Sequence, residues 1–145
     1  MEKTKGPKGV FIFIDDDIQE HIRFKAELKK ICGNEVVSAY NGEEALELLK
    51  KNKDNIFLII SDIGMPKING LELKHMVEST PELKIKAIPF IFHSTNDSPI
   101  IIKEAYSMGI QGFIKKSADP TQSVQNLEII VKFWSSIAHP NSIEN

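Results

Sequence analysis

Hydrophobic and polar residues follow one another along this chain in blocks that are typical of alternating strands and helices. Two uninterrupted apolar runs, over residues 10–14 and 56–60, end abruptly in polar and acidic residues. Such runs are typical of strands that are buried on both faces of a parallel sheet and whose carboxyl ends reach solvent. Shorter strands are predicted over residues 35–40, 88–92 and 113–115, which brings the number of predicted strands to five.

Apolar residues at helical spacing predict five helices, one after each strand. Ser98-Pro99 and Asp119-Pro120 each combine a capping side chain with a proline in the first turn, which is typical of a helix start. Pro81 is expected to mark the end of the third helix. The residues expected on buried helix faces are Phe24, Leu28 and Ile31 in the first helix, Ala45, Leu48 and Leu49 in the second, Leu73, Met76 and Val77 in the third, and Val124, Leu127, Val131 and Trp134 in the last.

Five strands and five helices in strict alternation predict an α/β fold, in which a doubly wound parallel sheet carries helices on both faces. The chain has 145 residues, a length that suits one domain. We expect this domain to span residues 8–138, with residues 1–7 and 139–145 as short tails. The sequence contains no internal repeat or low-complexity segment that would indicate a second unit.

Three acidic residues follow the two buried strands. Asp15 and Asp16 come directly after the first strand, and Asp62 follows the second apolar run. Because parallel strands end at the same edge of a sheet, these carboxylates are expected to converge there, where open α/β sheets bind ligands. Carboxylates that are brought together repel one another unless a cation lies between them. Oxygen ligands of this kind suit Mg²⁺.

Composition and charge narrow the range of partners. The formal net charge is −2, so the sequence indicates neither nucleic acid nor an anionic membrane as the main partner. The single cysteine, Cys32, excludes an internal disulfide and suits a reducing compartment. No apolar stretch approaches the ~20 residues that a membrane span needs. We therefore expect a cytoplasmic protein.

The residues at the strand ends resemble those of the response regulator receiver family, the chemotaxis-type phosphoacceptor of two-component systems. The resemblance rests on Asp15-Asp16, on Asp62-Ile63-Gly64-Met65-Pro66 with Gly70-Leu71-Glu72-Leu73, on Ser94 and on Lys116, each after a different predicted strand. It extends from about Val10 to Trp134. It implies a flavodoxin-like sheet with the strand order 2-1-3-4-5.

The resemblance also implies a magnesium site. Asp16 and Asp62 would be direct ligands of Mg²⁺, and Asp15 would support the ion, often through water. The backbone carbonyl of Gly64 would complete the ligands that the protein supplies. Asp17 has a simpler interpretation, because a helix begins just after it and an aspartate at that position caps a helix.

Asp62 would accept the phosphoryl group as a mixed anhydride, because a carboxylate oxygen can attack phosphorus once the excess negative charge is neutralised. Lys116 would pair with this carboxylate and then with a phosphoryl oxygen. The Ser94 hydroxyl would donate to another phosphoryl oxygen, with Thr95 as the competing residue for this role. Phe113 falls where the family places an aromatic residue that turns inward with Ser94 on activation, although it also suits an ordinary core position.

Further positions in this region have their own interpretations. Of Lys115 and Lys116, strand alternation selects Lys116 as the residue that faces the site. His93 precedes Ser94 within a strand and is interpreted as a packed core residue. Where the family usually has a proline after the site lysine, this chain has Ser117, so the same loop geometry cannot be assumed. Gly64 also differs, because a side chain in that position often controls water access.

These features predict a stand-alone receiver that is phosphorylated by a sensor histidine kinase or a histidine phosphotransfer protein. It would not be a conventional enzyme, although it would catalyse its own phosphorylation and dephosphorylation. It would signal to a downstream protein through the face formed by its fourth helix, fifth strand and last helix, and a homodimer through this face is a further option. The polar face of the first helix, with His21, Arg23, Lys25 and Lys29, is either solvated or a kinase-docking surface.

Two other function classes remain open. Asp15-x-Asp17 after a first strand also resembles the start of a haloacid-dehalogenase-type phosphatase, but Ile18-Gln19 fits that pattern poorly. The other alternative is a pseudo-receiver, an interaction module that is never phosphorylated. Sustained hydrolysis of phosphate monoesters would favour the first alternative, and failure to take up phosphate would favour the second.

Overall fold

The computed structural model describes residues 8–142 and confirms the predicted architecture. Five parallel strands form one sheet in the order β2-β1-β3-β4-β5. The strands are β1 Val10–Ile14, β2 Val36–Ala39, β3 Ile56–Ser61, β4 Phe90–Ser94 and β5 Gly112–Lys115. The helices are α1 Ile18–Lys29, α2 Gly42–Asn52, α3 Gly70–Glu78, α4 Pro81–Lys84, α5 Pro99–Ser107 and α6 Pro120–Ser136, and a 3₁₀ turn, Pro140–Ser142, follows.

The two faces of the sheet carry separate hydrophobic cores. Phe11 and Phe13 of β1 pack with α1 and α6 on one face. Ile12 and Ile14 of the same strand pack with α2, α3 and α5 on the other face. Every residue of β1 and β3 is buried, which explains why these two strands are uninterrupted apolar runs in the sequence.

Pro81 does not end a helix, and this part of the prediction is wrong. Helix α3 already ends at Glu78, and Pro81 begins the one-turn helix α4, which raises the number of α-helices in residues 8–142 from five to six. Proline suits the first position of a helix because the N–H group that it lacks would have no partner inside the helix. None of the helices in this part of the chain is long and apolar enough to cross a membrane.

The predicted helix starts are confirmed. Asp17, Ser98 and Asp119 each cap the helix that follows by accepting a backbone N–H with the side chain. Asn69 caps α3 in the same way, and Glu72 reaches back to the Asn69 N–H to complete a capping box. Side-chain chemistry therefore fixes where the helices begin on the carboxyl side of the sheet.

The segment after α6 packs where the strands of the sheet begin, at the end opposite to their carboxyl ends. His139, where the sequence predicts the start of a tail, is buried, and its ring stacks on Phe57 with the ring centroids 4.9 Å apart. The Asn141 N–H donates to His139 Nδ1, so Nε2 carries the proton that His139 donates to the Phe57 carbonyl. The predicted tail 1–7 and the last three residues of the predicted tail 139–145 lie outside the described residues.

Gly70 allows α3 to begin close against the end of β3. Its N–H donates to the Ile63 carbonyl at 2.8 Å, and an added Cβ would lie 2.3 Å from the Asp62 carbonyl oxygen and 2.9 Å from Phe92 Cε1. We expect Gly70→Ala to lower the free energy of unfolding by about 1–3 kcal/mol in urea denaturation. Gly33→Ala is the control, because a Cβ at Gly33 meets nothing within 4 Å and should change stability by less than about 0.5 kcal/mol. Equal losses in both variants would contradict the packing argument.

Candidate functional site

Three aspartates converge at the carboxyl edge of the sheet, as the sequence predicts. Asp15 and Asp16 follow β1, Asp62 follows the adjacent β3, and each offers a carboxylate oxygen within 4.8 Å of the other two. The three differ in exposure, because Asp15 is 1% exposed, Asp62 is partly buried and Asp16 is exposed. We refer to these three residues as the acidic cluster.

Backbone hydrogen bonds that continue the sheet hold the two inner aspartates. The Asp62 N–H donates to the Ile14 carbonyl at 2.8 Å, and the Asp15 N–H donates to the Ala39 carbonyl at 3.1 Å. The Asp62 side chain is fixed as well, because Oδ1 accepts the Ile63 N–H at 2.8 Å. The sheet itself therefore sets the separation of these carboxylates.

Lys116, just after β5, supplies a cation to the acidic cluster. Its Nζ lies 2.9 Å from Asp15 Oδ2 and 3.6 Å from Asp62 Oδ2, so the shorter contact is with Asp15. The Lys116 backbone N–H donates to the Ser94 carbonyl at 2.9 Å, which ties the lysine to the end of β4. Three carboxylates and one ammonium group leave two negative charges uncompensated within these four residues.

The burial of the site changes the pKa values of both charged partners. Burial raises the pKa of Asp62, and the charge of Lys116 opposes this rise while the charge of Asp15 adds to it. Burial disfavours the charged form of Lys116, but the hydrogen bond with Asp15 and the charges of Asp62 and Asp15 outweigh it and raise the pKa of Lys116. The environment of the Asp62 carboxylate therefore destabilises its charged form.

The donor set of the acidic cluster fits a divalent ion with oxygen ligands. Carboxylate oxygens are the ligands that Mg²⁺ prefers, and the two uncompensated charges match its charge. Gly64 lies two residues past Asp62 in an exposed loop position, and nothing lies within 4 Å of a Cβ built on it. There is therefore free space beside the Gly64 backbone, whose carbonyl is the Mg²⁺ ligand that the resemblance implies.

Ser94 and Thr95 differ in burial. Ser94 ends β4 and is buried, whereas Thr95 is exposed. Ser94 Oγ accepts the Asn96 N–H at 3.1 Å, and Ser94 is in register with Lys115, the residue before the site lysine. Ser94 thus lies on the strand end beside Lys116, in keeping with its selection over Thr95 from the sequence.

Phe113 lies on β5 in register with Phe92, is partly buried and packs against one of the two cores. It also lines a cavity of about 440 Å³ between β5 and α6 that includes Tyr106 and Phe133. Phe113 therefore links the core of the sheet to an outer surface.

The expectation that His21 lies on the polar outer face of the first helix is wrong, and Arg23, which is partly exposed, has a partner that the sequence does not predict. His21 is 2% exposed and lies between Phe13 and Tyr40, and its Nε2 is 2.7 Å from the Asp15 carbonyl oxygen. Arg23 donates from its guanidinium group to the Ser117 carbonyl. Only His21 had a signal in the sequence, because it lies three residues before Phe24 and therefore on the buried face.

Known proteins similar to this chain come from one family. The family model "Response regulator receiver domain" matches residues 11–128. The chemotaxis protein CheY homolog of Campylobacter jejuni is 30% identical over 120 residues, which cover 83% of this chain and 90% of that protein. The CAI-1 autoinducer sensor kinase/phosphatase CqsS of Vibrio cholerae is 35% identical over 119 residues, which cover 82% of this chain but only 17% of that protein.

Solved structures show the same similarity. The phosphorylated cyanobacterial phytochrome response regulator RcpA superposes with a TM-score of 0.81 at 27% identity, over 92% of this chain and 99% of that one. The chemotaxis protein CheY4 of Vibrio cholerae superposes with a TM-score of 0.71 at 27% identity, over 86% of this chain and 99% of that one.

His93 should make the stability of the fold depend on pH. Burial and the charge of Lys116 lower the pKa of His93 from 6.5 to about 4, and within residues 8–142 its Nδ1 has no hydrogen-bond partner. The unfolded chain therefore takes up a proton near pH 6.5 that the folded chain takes up only near pH 4, so stability is lost as the pH falls through this range. Between pH 7 and pH 5 this loss should be about 2 kcal/mol.

Urea denaturation of His93→Leu at both pH values measures this contribution. On the change from pH 7 to pH 5, the free energy of unfolding of the variant should fall by about 2 kcal/mol less than that of the native protein. His75→Gln, at an exposed position on α3, is the matched control and should keep the native pH dependence. If His93→Leu keeps the native pH dependence too, His93 is not the group responsible.

Proposed function

Because this chain belongs to the response regulator receiver family of two-component systems, we propose that Asp62 accepts a phosphoryl group from a phosphohistidine of a partner protein. The observation that carries this proposal is the convergence of the acidic cluster with Lys116 at one edge of the sheet. The donor would be a sensor histidine kinase or a histidine phosphotransfer protein, as for other receiver domains.

The transfer forms one bond and breaks another. An Asp62 carboxylate oxygen attacks phosphorus, and the bond between phosphorus and the histidine ring nitrogen breaks with its electron pair going to that nitrogen, which is then protonated from solvent. The products are an aspartyl phosphate and a neutral histidine. Asp62 suits this role because it is the partly buried member of the acidic cluster, with Oδ1 held by the Ile63 N–H and Oδ2 near Lys116.

Receiver domains bind Mg²⁺ through an acidic pocket, and here Asp15, Asp16 and Asp62, with the Gly64 carbonyl, would hold the ion. When bound, Mg²⁺ neutralises charge on the phosphoryl oxygens, and this transfer depends mainly on positioning and charge stabilisation. Lys116 contributes a fixed positive charge beside Asp62, and the Ser94 hydroxyl would donate to a phosphoryl oxygen. The same site would admit a water molecule that hydrolyses the acyl phosphate, so the domain would also dephosphorylate itself.

Phosphorylation would act on a conformational switch that involves Ser94 and Phe113. Ser94 is linked to β5 by register and by the hydrogen bond from Lys116, and Phe113 lies three residues before Lys116. A movement of Ser94 towards the phosphoryl group would therefore be transmitted to Phe113 and to the surface around α5, β5 and α6. The similarity to RcpA, a response regulator whose phosphorylated form has been solved, supports phosphorylation as the event that would trigger this switch.

We propose that this receiver acts by itself and signals to a downstream protein, in line with the 90% coverage of the chemotaxis homologue. The similar segment of the sensor kinase is a small part of a longer protein, so the family also places receivers beside other domains. The net charge of −2 favours a protein partner over nucleic acid.

Intact-mass spectrometry after incubation with Mg²⁺ and acetyl phosphate tests Asp62 as the acceptor. The native protein should gain one phosphoryl group, and Asp62→Asn should gain none. Asp17→Asn is the matched control, because it makes the same charge change at a residue that caps α1 and should be phosphorylated like the native protein. EDTA should prevent the adduct in all variants.

Each other result has a defined meaning. An adduct on Asp62→Asn would identify another acceptor. The absence of an adduct on the native protein, with Mg²⁺ binding confirmed by calorimetry, would favour the pseudo-receiver alternative. Release of many equivalents of phosphate from monoester substrates would favour a phosphatase.

The surface around α5, β5 and α6 also suits a homodimer. Ile129 and Phe133 of α6 are 66% and 54% exposed, and Phe133 lines the 440 Å³ cavity beside β5. We expect sedimentation velocity to detect a dimer of the phosphorylated protein and Phe133→Ser to weaken it by about tenfold or more, because a large aromatic side chain would be lost from the interface. Ile85→Ser, at an 81% exposed position on another part of the surface, is the control. A monomer at all concentrations would exclude this dimer.

A further inference from the structure

The Ser117 carbonyl accepts a hydrogen bond from the Arg23 guanidinium, although the two residues are 94 positions apart in the sequence. Arg23 lies on α1, and Ser117 directly follows the site lysine in the loop between β5 and α6. This contact therefore joins a helix on one face of the sheet to the loop that carries Lys116.

Glu27 connects the same guanidinium to α6. Its Oε2 lies 3.7 Å from Arg23 Nε, and its Oε1 accepts a hydrogen bond from Ser123 Oγ at 2.7 Å. Glu27 is buried, and a carboxylate in that environment needs partners of this kind. Arg23 thus donates a hydrogen bond from one nitrogen to Ser117 and places another in ion-pair distance of Glu27, an arrangement that a planar guanidinium allows and a lysine ammonium does not match.

These contacts restrain the backbone on both sides of the Lys116 side chain. The Lys116 N–H donates to the Ser94 carbonyl, and the carbonyl of the next residue accepts from Arg23. Because the two fixed groups flank the Lys116 Cα, they limit the directions that its side chain can take. From this position the ammonium group lies between Asp15 and Asp62.

The side chain of residue 117 does not fix its own φ angle. Ser117 lacks the ring by which a proline would do so, its hydroxyl is hydrogen-bonded to the Asp119 backbone, and all described peptide bonds are trans. We propose that Arg23 is a positioning residue that, through the Ser117 carbonyl, holds the Lys116 ammonium between Asp15 and Asp62. The consequence for phosphorylation rests on the proposed function of Asp62.

The contact between Arg23 and Glu27 does not by itself reach the site, because it joins residues four apart on one helix. The Ser117 contact differs because it reaches the loop next to the site. A purely electrostatic influence of Arg23 on the site is a separate alternative, which the experiment must exclude.

A double-mutant cycle of Arg23→Gln and Lys116→Ala separates these alternatives. The rate of phosphorylation by acetyl phosphate with Mg²⁺ is measured in the native protein, in both single variants and in the double variant. In the native background, Arg23→Gln should lower the rate of phosphorylation about tenfold, because a displaced Lys116 ammonium group stabilises the reacting phosphoryl group much less. In the Lys116→Ala background it should change the rate by less than about twofold, because there is no ammonium left to position.

The exposed Lys25 on the same helix provides the matched control. Lys25→Gln removes the same charge from α1 and should leave the rate unchanged. Thermal unfolding of each variant identifies any general loss of stability. If Arg23→Gln does not fold, Arg23→Lys enters the cycle in its place, since it retains the charge but not the two-sided contact.

A measurement without Mg²⁺ or phosphate tests the position of Lys116 itself. In the NMR spectrum of the native protein the two Cε protons of Lys116 should have separate chemical shifts, because the side chain is fixed between two carboxylates. In Arg23→Gln they should merge, and in Lys25→Gln they should stay separate.

The outcomes distinguish this inference from the proposed function. It is overturned if Arg23→Gln leaves both the rate and the Lys116 resonances unchanged, or if it slows the Lys116→Ala background by the same factor as the native protein. If the native protein takes up no phosphoryl group, the proposed function fails, and the Lys116 resonances alone decide whether Arg23 positions the lysine.

Discussion

The ion pair between Lys116 and Asp15 is the interaction on which the site depends. Asp15 is 1% exposed, and an ionised carboxylate in such a place is stable only when it has partners. Its charged partner, Lys116, comes from the far side of Asp62, since β3 and β4 separate β1 from β5 in the sheet. By reaching across, Lys116 also comes within 3.6 Å of Asp62. The requirement to compensate one buried charge therefore creates the charged environment of the neighbouring carboxylate.

The same requirement connects the site to distant parts of the fold. Lys116 is placed by the end of β4 through the Ser94 carbonyl, and it follows the strand that carries Phe113. An event that alters the charge on Asp62 would change the charge that faces Lys116, which directly follows β5. The acidic cluster and β5 are thus connected by a short path of covalent bonds and ion-pair contacts through Lys116.

The features that the sequence predicts well are those that depend on local patterns. The apolar runs 10–14 and 56–60 are buried strands, because a central strand covered on both faces buries successive side chains on alternate sides. The caps Asp17 and Asp119 act within their own helix turn. Because strand ends define one edge, the meeting of Asp15 with Asp62 follows from the topology alone.

The features that the sequence does not predict depend on partners far along the chain. Arg23 resembles a solvated helix residue until the fold brings Ser117 to it, and although the position of His21 indicates burial, its contact with the Asp15 carbonyl is not visible in the sequence. His139 likewise needs Phe57 to become buried. A local restraint such as proline at residue 117 would be visible in the sequence, whereas a guanidinium that performs the same task from another helix is not. If Arg23 holds Lys116 in this way, the position of Lys116 depends on how α1 packs against the loop before α6. A partner that binds to α1 and shifts Arg23 would therefore move the positive charge beside Asp62 without contacting the acidic cluster.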